Sequence, residues 1–185
     1  MMLLAIMPVK KYFIAIVIPD PLGIEIENVK RFLDKDFGLK GALRCPAHIT
    51  LHRPFEWKEE KESQLTEKLS AFEFKDDFKL EIQNYSWFEP RVIYAQVKPS
   101  EQLKELHNQL KNYAKRELRL FNEVDDRRGF HPHITVAFRD LKKPQFYKLQ
   151  EVFKEKKIEG TFNYEGFSLL KLDKTWNKLK EFKSD

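Results

Sequence analysis

Two of the five histidines in this 185-residue chain open the same tripeptide, His48-Ile49-Thr50 and His133-Ile134-Thr135. In an extended strand residues i and i+2 share a face, about 7 Å apart. Each copy would therefore present an imidazole and a hydroxyl side by side, with Ile49 and Ile134 turned into packing. Histidine gives and takes protons near neutral pH. Two imidazoles on opposite sides of one atom can act as base and acid in a single in-line displacement, and two threonine hydroxyls can hold the oxygens of a tetrahedral anion. Phosphorus is the most economical such atom. Composition alone predicts roughly 0.14 His-x-Thr occurrences in a chain of this make-up. Two are found, 85 residues apart, both in apolar surroundings.

The same alternation nominates neighbours. His52 continues the polar face of the first copy, and Ala137 and Arg139 that of the second. His52 and Arg139 are thus candidates to touch phosphate or a base. Trp176, with Phe55 and Trp57 behind it, is a candidate to stack on a nucleobase. His131-Pro132-His133 could suggest a metal site, but no cysteine lies near and no carboxylate has ligand spacing, so no metal is expected. Arg127-Arg128-Gly129 could contact a nucleic-acid backbone, though Asp125 and Asp126 cancel their charge.

The elements that must carry these residues follow from periodicity. Tyr12–Ile18 reads as a strand buried on both faces. Ile26, Val29, Leu33 and Phe37 recur at helical steps, with Gly38 placed to end the helix. A strand starts near Ala47 and is expected to stop at Pro54. Glu59–Phe72 reads as a helix, Phe78–Phe88 and Val92–Val97 as strands joined at Glu89-Pro90. Ser100 is a plausible N-cap for a helix of about five turns running to Phe121. A polar loop leads to the strand HITVAF, Lys143-Pro144 opens a last helix, and Phe162–Leu172 and Thr175–Phe182 read as a closing pair of strands. The order β-α-β-α-β, then β-α-β-α-β-β, is an internal duplication. It predicts an α+β, bilobal fold: residues 1–185 as one domain, with halves of about 12–90 and 91–182 that may exchange elements, and sheets facing a central cleft.

Composition sets limits. Hydrophobic residues make up 42% and aromatics 14%, enough for a folded core. The single Cys45 excludes an intramolecular disulfide framework and fits a cytoplasmic setting. The net charge of +5 is compatible with an anionic substrate. No apolar run approaches the ~20 residues of a membrane helix. The N-terminal MMLLAIMPV does not read as a secretory signal, and translation could start at Met1, Met2 or Met7. GxxxxGK, GxGxxG and GxSxG are all missing, so nucleotide-loop and serine-hydrolase readings have no support.

With HITL at His48 and HITV at His133, preceded by Pro46-Ala47 and Pro132, the chain resembles the 2H phosphoesterase superfamily, the LigT-like or 2′-5′ RNA ligase-like proteins. Their signature is two H-x-[TS]-x motifs on strands of duplicated lobes. The resemblance covers about Tyr12 to Phe182. It implies metal- and cofactor-independent chemistry on cyclic phosphodiesters, often RNA 2′,3′-cyclic phosphates, or reversible 2′-5′ joining of RNA ends. It also implies His48 and His133 as the catalytic pair, His133 as base and His48 as acid, with Thr50 and Thr135 binding phosphate. Two departures bear on substrate choice: Phe138 stands where many bacterial members have Arg, and His52 where some have Lys. The expectation is a cytoplasmic, monomeric phosphodiesterase acting on RNA or a nucleotide with a cyclic or 2′-5′ linkage. Its rivals are 2′-5′ ligation by the same four residues and a non-catalytic RNA or nucleotide binder.

Overall fold

The computed structural model describes residues 8–123 and 129–184. The possible starts at Met1, Met2 and Met7, and the Asp125-Asp126-Arg127-Arg128 run, lie outside the described residues. The chain runs β1 (Val9–Val17), α1 (Leu22–Phe37), β2 (His48–Lys58), α2 (Glu62–Ser70), β3 (Lys79–Phe88), β4 (Val92–Val97), α3 (Glu101–Tyr113), β5 (His133–Ala137), α4 (Lys143–Glu155), β6 (Glu159–Asn163), β7 (Gly166–Leu172) and β8 (Trp176–Lys183). A 3₁₀ turn at Gly41–Arg44 links α1 to β2, and a π-helical turn at Ala114–Leu118 ends α3.

The α+β duplication is present as two curled, four-stranded sheets in the orders β2-β1-β7-β8 and β5-β4-β3-β6. Neighbouring strands pair antiparallel throughout the described residues. In each sheet the strand that carries His-Ile-Thr is an edge. The sheets do not divide the chain near residue 90. β3 lies beside β4 in the second sheet, and β7 and β8 return to the first. The segment 162–172, which reads as one strand, is two. β6 ends at Asn163 in one sheet and β7 begins at Gly166 in the other. Gly166 makes that switch possible: its φ is +134°, and a Cβ there would meet the Phe182 carbonyl oxygen at 2.0 Å.

Helices exchange as well. α1 packs beside α4 on the second sheet. A Cβ on Gly160 of β6 would meet Leu22 at 3.0 Å, Lys156 Nζ sits 4.6 Å over the Phe32 ring, and Gln145 Nε2 donates to the Phe37 carbonyl at 2.8 Å. α2 and α3 cover the first sheet. Tyr12 donates its hydroxyl to Glu62 at 2.7 Å, and Phe72 packs on both Phe167 and Tyr113. One apolar cluster therefore runs through both halves.

The local signals mostly hold. Ser100 Oγ accepts the Leu103 N–H at 3.1 Å, and Gly38 closes α1 with φ +70°. Two differ. β2 continues past Pro54 to Lys58, because Pro54 falls in a register irregularity of an edge strand, where a missing N–H costs little. α3 gives way to the π-helical turn before Leu118, so Phe121 is not a buried helix residue but 64% exposed. No described helix is long and apolar enough to cross a membrane.

Candidate active site

On β2, His48 pairs across to Val17 and Thr50 to Ala15 of β1. On β5, His133 pairs to Gln96 and Thr135 to Tyr94 of β4. Ile49 and Ile134 are fully buried, and the two histidines and two threonines are half-buried on the opposite face. The alternation expected of a His-x-Thr strand is therefore realised in both copies. β2 and β5 lie against each other at the seam between the sheets, close enough that charge on His133 depresses the proton affinity of His48.

The two imidazoles are held in the same way. His48 Nδ1 lies 2.7 Å from the Pro46 carbonyl and His133 Nδ1 2.8 Å from the His131 carbonyl. A carbonyl only accepts, so each Nδ1 carries the proton and each neutral Nε2 is left with a lone pair. Burial lowers the proton affinity of both. It pulls His48 down to about 4, against the raising effect of the Pro46 carbonyl, with Lys30 and His133 adding to the depression. It lowers His133 too, the His131 carbonyl opposing and the His131 ring assisting. Without an anion both rings are neutral at pH 7. A phosphodiester charge placed between them would favour protonation of one, giving one acid and one base.

Burial hides the support for His48. Lys30 on α1 is 2% exposed. Its Nζ reaches Glu27 Oε1 at 2.8 Å and donates to the Cys45 carbonyl at 2.9 Å, and the same Glu27 oxygen accepts the Ala47 N–H at 2.7 Å. This pair grips both sides of Pro46, whose carbonyl orients His48. Cys45 Sγ lies 3.4 Å from His48 Nδ1, and burial pushes its thiol up to about 12, so it is not a thiolate.

Aromatic rings extend from each histidine. Phe13 meets His48 at 4.9 Å between ring centroids, and Trp176 meets Phe13 edge-on at 4.7 Å. Trp176 is half-buried at the start of β8. On the other side Phe88 and Tyr94 lie 5.2 Å from the His133 ring, and the Tyr94 hydroxyl is 3.1 Å from His131 Nε2.

Two of the nominated neighbours are not on the motif face. His52 pairs with Ile14 while Thr50 pairs with Ala15, so Leu51 is an extra residue in a bulge. The bulge reverses the alternation and turns His52 inward, to 0% exposure, edge-on to Phe55. β5 carries the same bulge: Ala137 pairs with Ile93 and Thr135 with Tyr94, leaving Val136 extra. That strand ends at Ala137, so counting by twos does not reach Arg139. Arg139 is exposed at φ +59°, with its guanidinium 5.0 Å over Phe138. Sequence reasoning missed Glu27, Lys30, Phe13, Phe88 and Tyr94 as neighbours of the histidine pair, and weighed His131 only as a metal ligand. A buried-helix position filled by Lys, in step with Ile26 and Leu33, was the one signal available. Among the described residues no three His, Cys, Asp or Glu side chains are grouped as metal ligands would be.

Two duplicated sheets that meet at paired His-x-Thr edge strands define a LigT-like architecture. The sequence profile of the 2'-5' RNA ligase superfamily matches residues 18–176, and the chain belongs to that family, the 2H phosphoesterases. It is 30% identical over 164 residues to the protein OB1230 of Oceanobacillus iheyensis, whose name assigns it to the phosphoesterases, covering 86% of this chain and 82% of the relative. It is 28% identical over 158 residues to GK0864 of Geobacillus kaustophilus, similarly named, covering 80% and 84%. Among solved structures, TT0787 of Thermus thermophilus superposes with a TM-score of 0.63 at 20% identity, over 94% of this chain and 97% of that one. E. coli LigT complexed with 3'-AMP superposes with a TM-score of 0.62 at 22% identity, over 96% and 99%. At these identities the superpositions speak for the fold.

Proposed function

We propose that the protein is a metal-independent phosphodiesterase that opens 2′,3′-cyclic or 2′-5′ phosphodiesters of RNA or nucleotides. The observation that carries this reading is the matched pair of imidazoles, each with Nδ1–H tied to the carbonyl two residues earlier and each with a threonine hydroxyl at i+2 on its own face. In the reaction, water attacks phosphorus while the Nε2 of one neutral histidine takes its proton. The bond from phosphorus to the 2′- or 3′-ribose oxygen breaks as the Nε2–H of the other, protonated histidine passes its proton to that oxygen. Family resemblance assigns His133 the base and His48 the acid. Thr50 and Thr135 donate hydroxyls to the non-bridging oxygens, where a developing charge is best stabilised by donors already in place. Trp176, half-buried one ring beyond Phe13 on the His48 side, supplies a face for a base. Arg139 is exposed beyond β5, where a phosphate outside the reacting one could reach it. Solved structures of E. coli LigT complexed with 3'-AMP and with NADP+ support a nucleotide as the class of ligand.

The test is hydrolysis of an oligoribonucleotide ending in a 2′,3′-cyclic phosphate, in excess EDTA, by the wild type and by His48→Ala and His133→Ala. Turnover by the wild type and its loss in both variants is expected. Full activity in either variant overturns the scheme. The superfamily's name keeps ligation as a second reading, in which a ribose hydroxyl replaces water. Adding a strand with a 5′-hydroxyl end and looking for a joined product separates the two.

A further inference from the structure

We infer that Asp140 is a positioning residue that fixes the separation of His48 from His133 by pinning the crossover Lys40–Ala47 to the second sheet. The inference rests on the two-histidine reading above and concerns how that pair is held. Asp140 lies three residues past the end of β5, the strand of His133. Its Oδ2 accepts two backbone N–H groups a hundred residues away in sequence, Lys40 at 2.7 Å and Gly41 at 2.8 Å. These open the 3₁₀ turn Gly41–Arg44, and the chain then runs through Cys45, Pro46 and Ala47 into His48.

The approach is close on both sides. A Cβ on Gly41 would meet Asp140 Oδ1 at 2.7 Å and the Phe138 carbonyl at 2.8 Å. Real side chains do not tolerate contacts that short, so glycine is required for the crossover to lie against the end of β5. The far end of the crossover is held by Glu27 and Lys30, which belong to α1, and α1 itself packs beside α4. Both ends of the segment that carries the Pro46 carbonyl are therefore attached to the side of the molecule that carries His133. The carbonyl aims His48, so the bond at Asp140 sets where one imidazole sits relative to the other. A single shared phosphorus demands that separation to within a fraction of an ångström.

The bond is not needed to build either sheet, which makes it testable. Asp140→Ala removes the acceptor. Asp140→Asn keeps an oxygen able to accept both N–H groups and serves as the conservative rescue. Gly41→Ala forces the same surfaces apart from the other side. With folding verified by circular dichroism, Asp140→Ala and Gly41→Ala are expected to lower kcat on cyclic-phosphate RNA on the order of 10²-fold, with KM within about threefold. Asp140→Asn should keep kcat within about threefold of wild type. A second measurement does not depend on turnover. His48 is followed by NMR titration with His133 intact and replaced by Asn. In the wild-type background the replacement raises the titration point of His48, since a neighbouring cation is removed. In the Asp140→Ala background that shift should shrink. An undiminished shift there overturns the inference, whatever the activity. If the wild-type protein has no activity on cyclic phosphates, the functional reading fails while the titration still decides the role of Asp140.

Discussion

His48 and His133 are anchored by the same contact: each directs Nδ1 at the carbonyl two residues before it, Pro46 and His131, at 2.7 and 2.8 Å. The residue between carbonyl and imidazole, Ala47 or Pro132, is buried in both copies. The equivalence extends to the bulge after each threonine. The environments differ. Lys30, Glu27 and Cys45 surround the first histidine, while His131, Tyr94 and Phe88 surround the second. A duplicated scaffold with unlike surroundings is how one site can obtain an acid and a base from identical side chains.

The first prediction concerns that pair. Replacing either histidine by alanine should lower kcat on a cyclic phosphate by about 10²–10⁴-fold, the usual contribution of general acid or base catalysis. Thr50→Val and Thr135→Val, which keep the shape and remove the hydroxyl, should each cost about 10-fold or more in kcat/KM. Steady-state kinetics on a single cyclic-phosphate substrate would show both effects.

The pH dependence of stability has a definite sign. Both histidines are depressed below the ordinary 6.5, His48 to about 4. Between those values the unfolded chain binds protons that the folded one does not, so stability is intact above about pH 6.5 and falls as the pH drops toward 4. Sulfate, a dianion across this range, should raise Tm more at pH 5.5 than at pH 8, because it favours the charged imidazoles. His48→Asn should flatten the acid decline. A Tm that holds constant from pH 8 to pH 5 would contradict the depression.

His52 and Trp176 make opposite predictions. His52 is fully buried behind the bulge, with Nδ1 2.9 Å from the Arg53 carbonyl. His52→Leu should therefore leave KM within about twofold, since the ring does not reach the motif face. Trp176→Ala should raise KM for nucleotide substrates about 10-fold while kcat changes little, the loss of one stacked base. Quenching of tryptophan fluorescence on adding a mononucleotide, lost in Trp176→Phe, would locate the ring.

Lys30 is a stability position. Removing one partner of a buried pair leaves the other charge without compensation, so Lys30→Ala should cost on the order of 3 kcal/mol in urea unfolding. It also frees the Cys45 carbonyl, so kcat should fall with stability. Lys30→Met with Glu27→Gln should recover much of the stability, because no charge is then stranded.

Whatever depends on near neighbours in the chain can be read from the residues in order. The period-two pattern of the His-Ile-Thr strands, the Ser100 and Gly38 caps and the helical steps of α1 are each decided within a few residues, by backbone geometry and local hydrogen bonding. The duplicated motif was legible because two rare tripeptides recur at matching places. Which distant segments meet became visible with the folded chain. Leu51 and Val136 drop out of register because β1 and β4 pair as they do, and that pairing turned His52 inward. Gly166 sends one apolar run into two sheets because Phe182 lies against it. Lys30 is buried because the Cys45 carbonyl waits for it across the crossover, beside the Glu27 carboxylate one turn back on its own helix. Contacts of that kind are set by the closure of both sheets over one core, an energy shared among residues far apart, and local composition does not encode it.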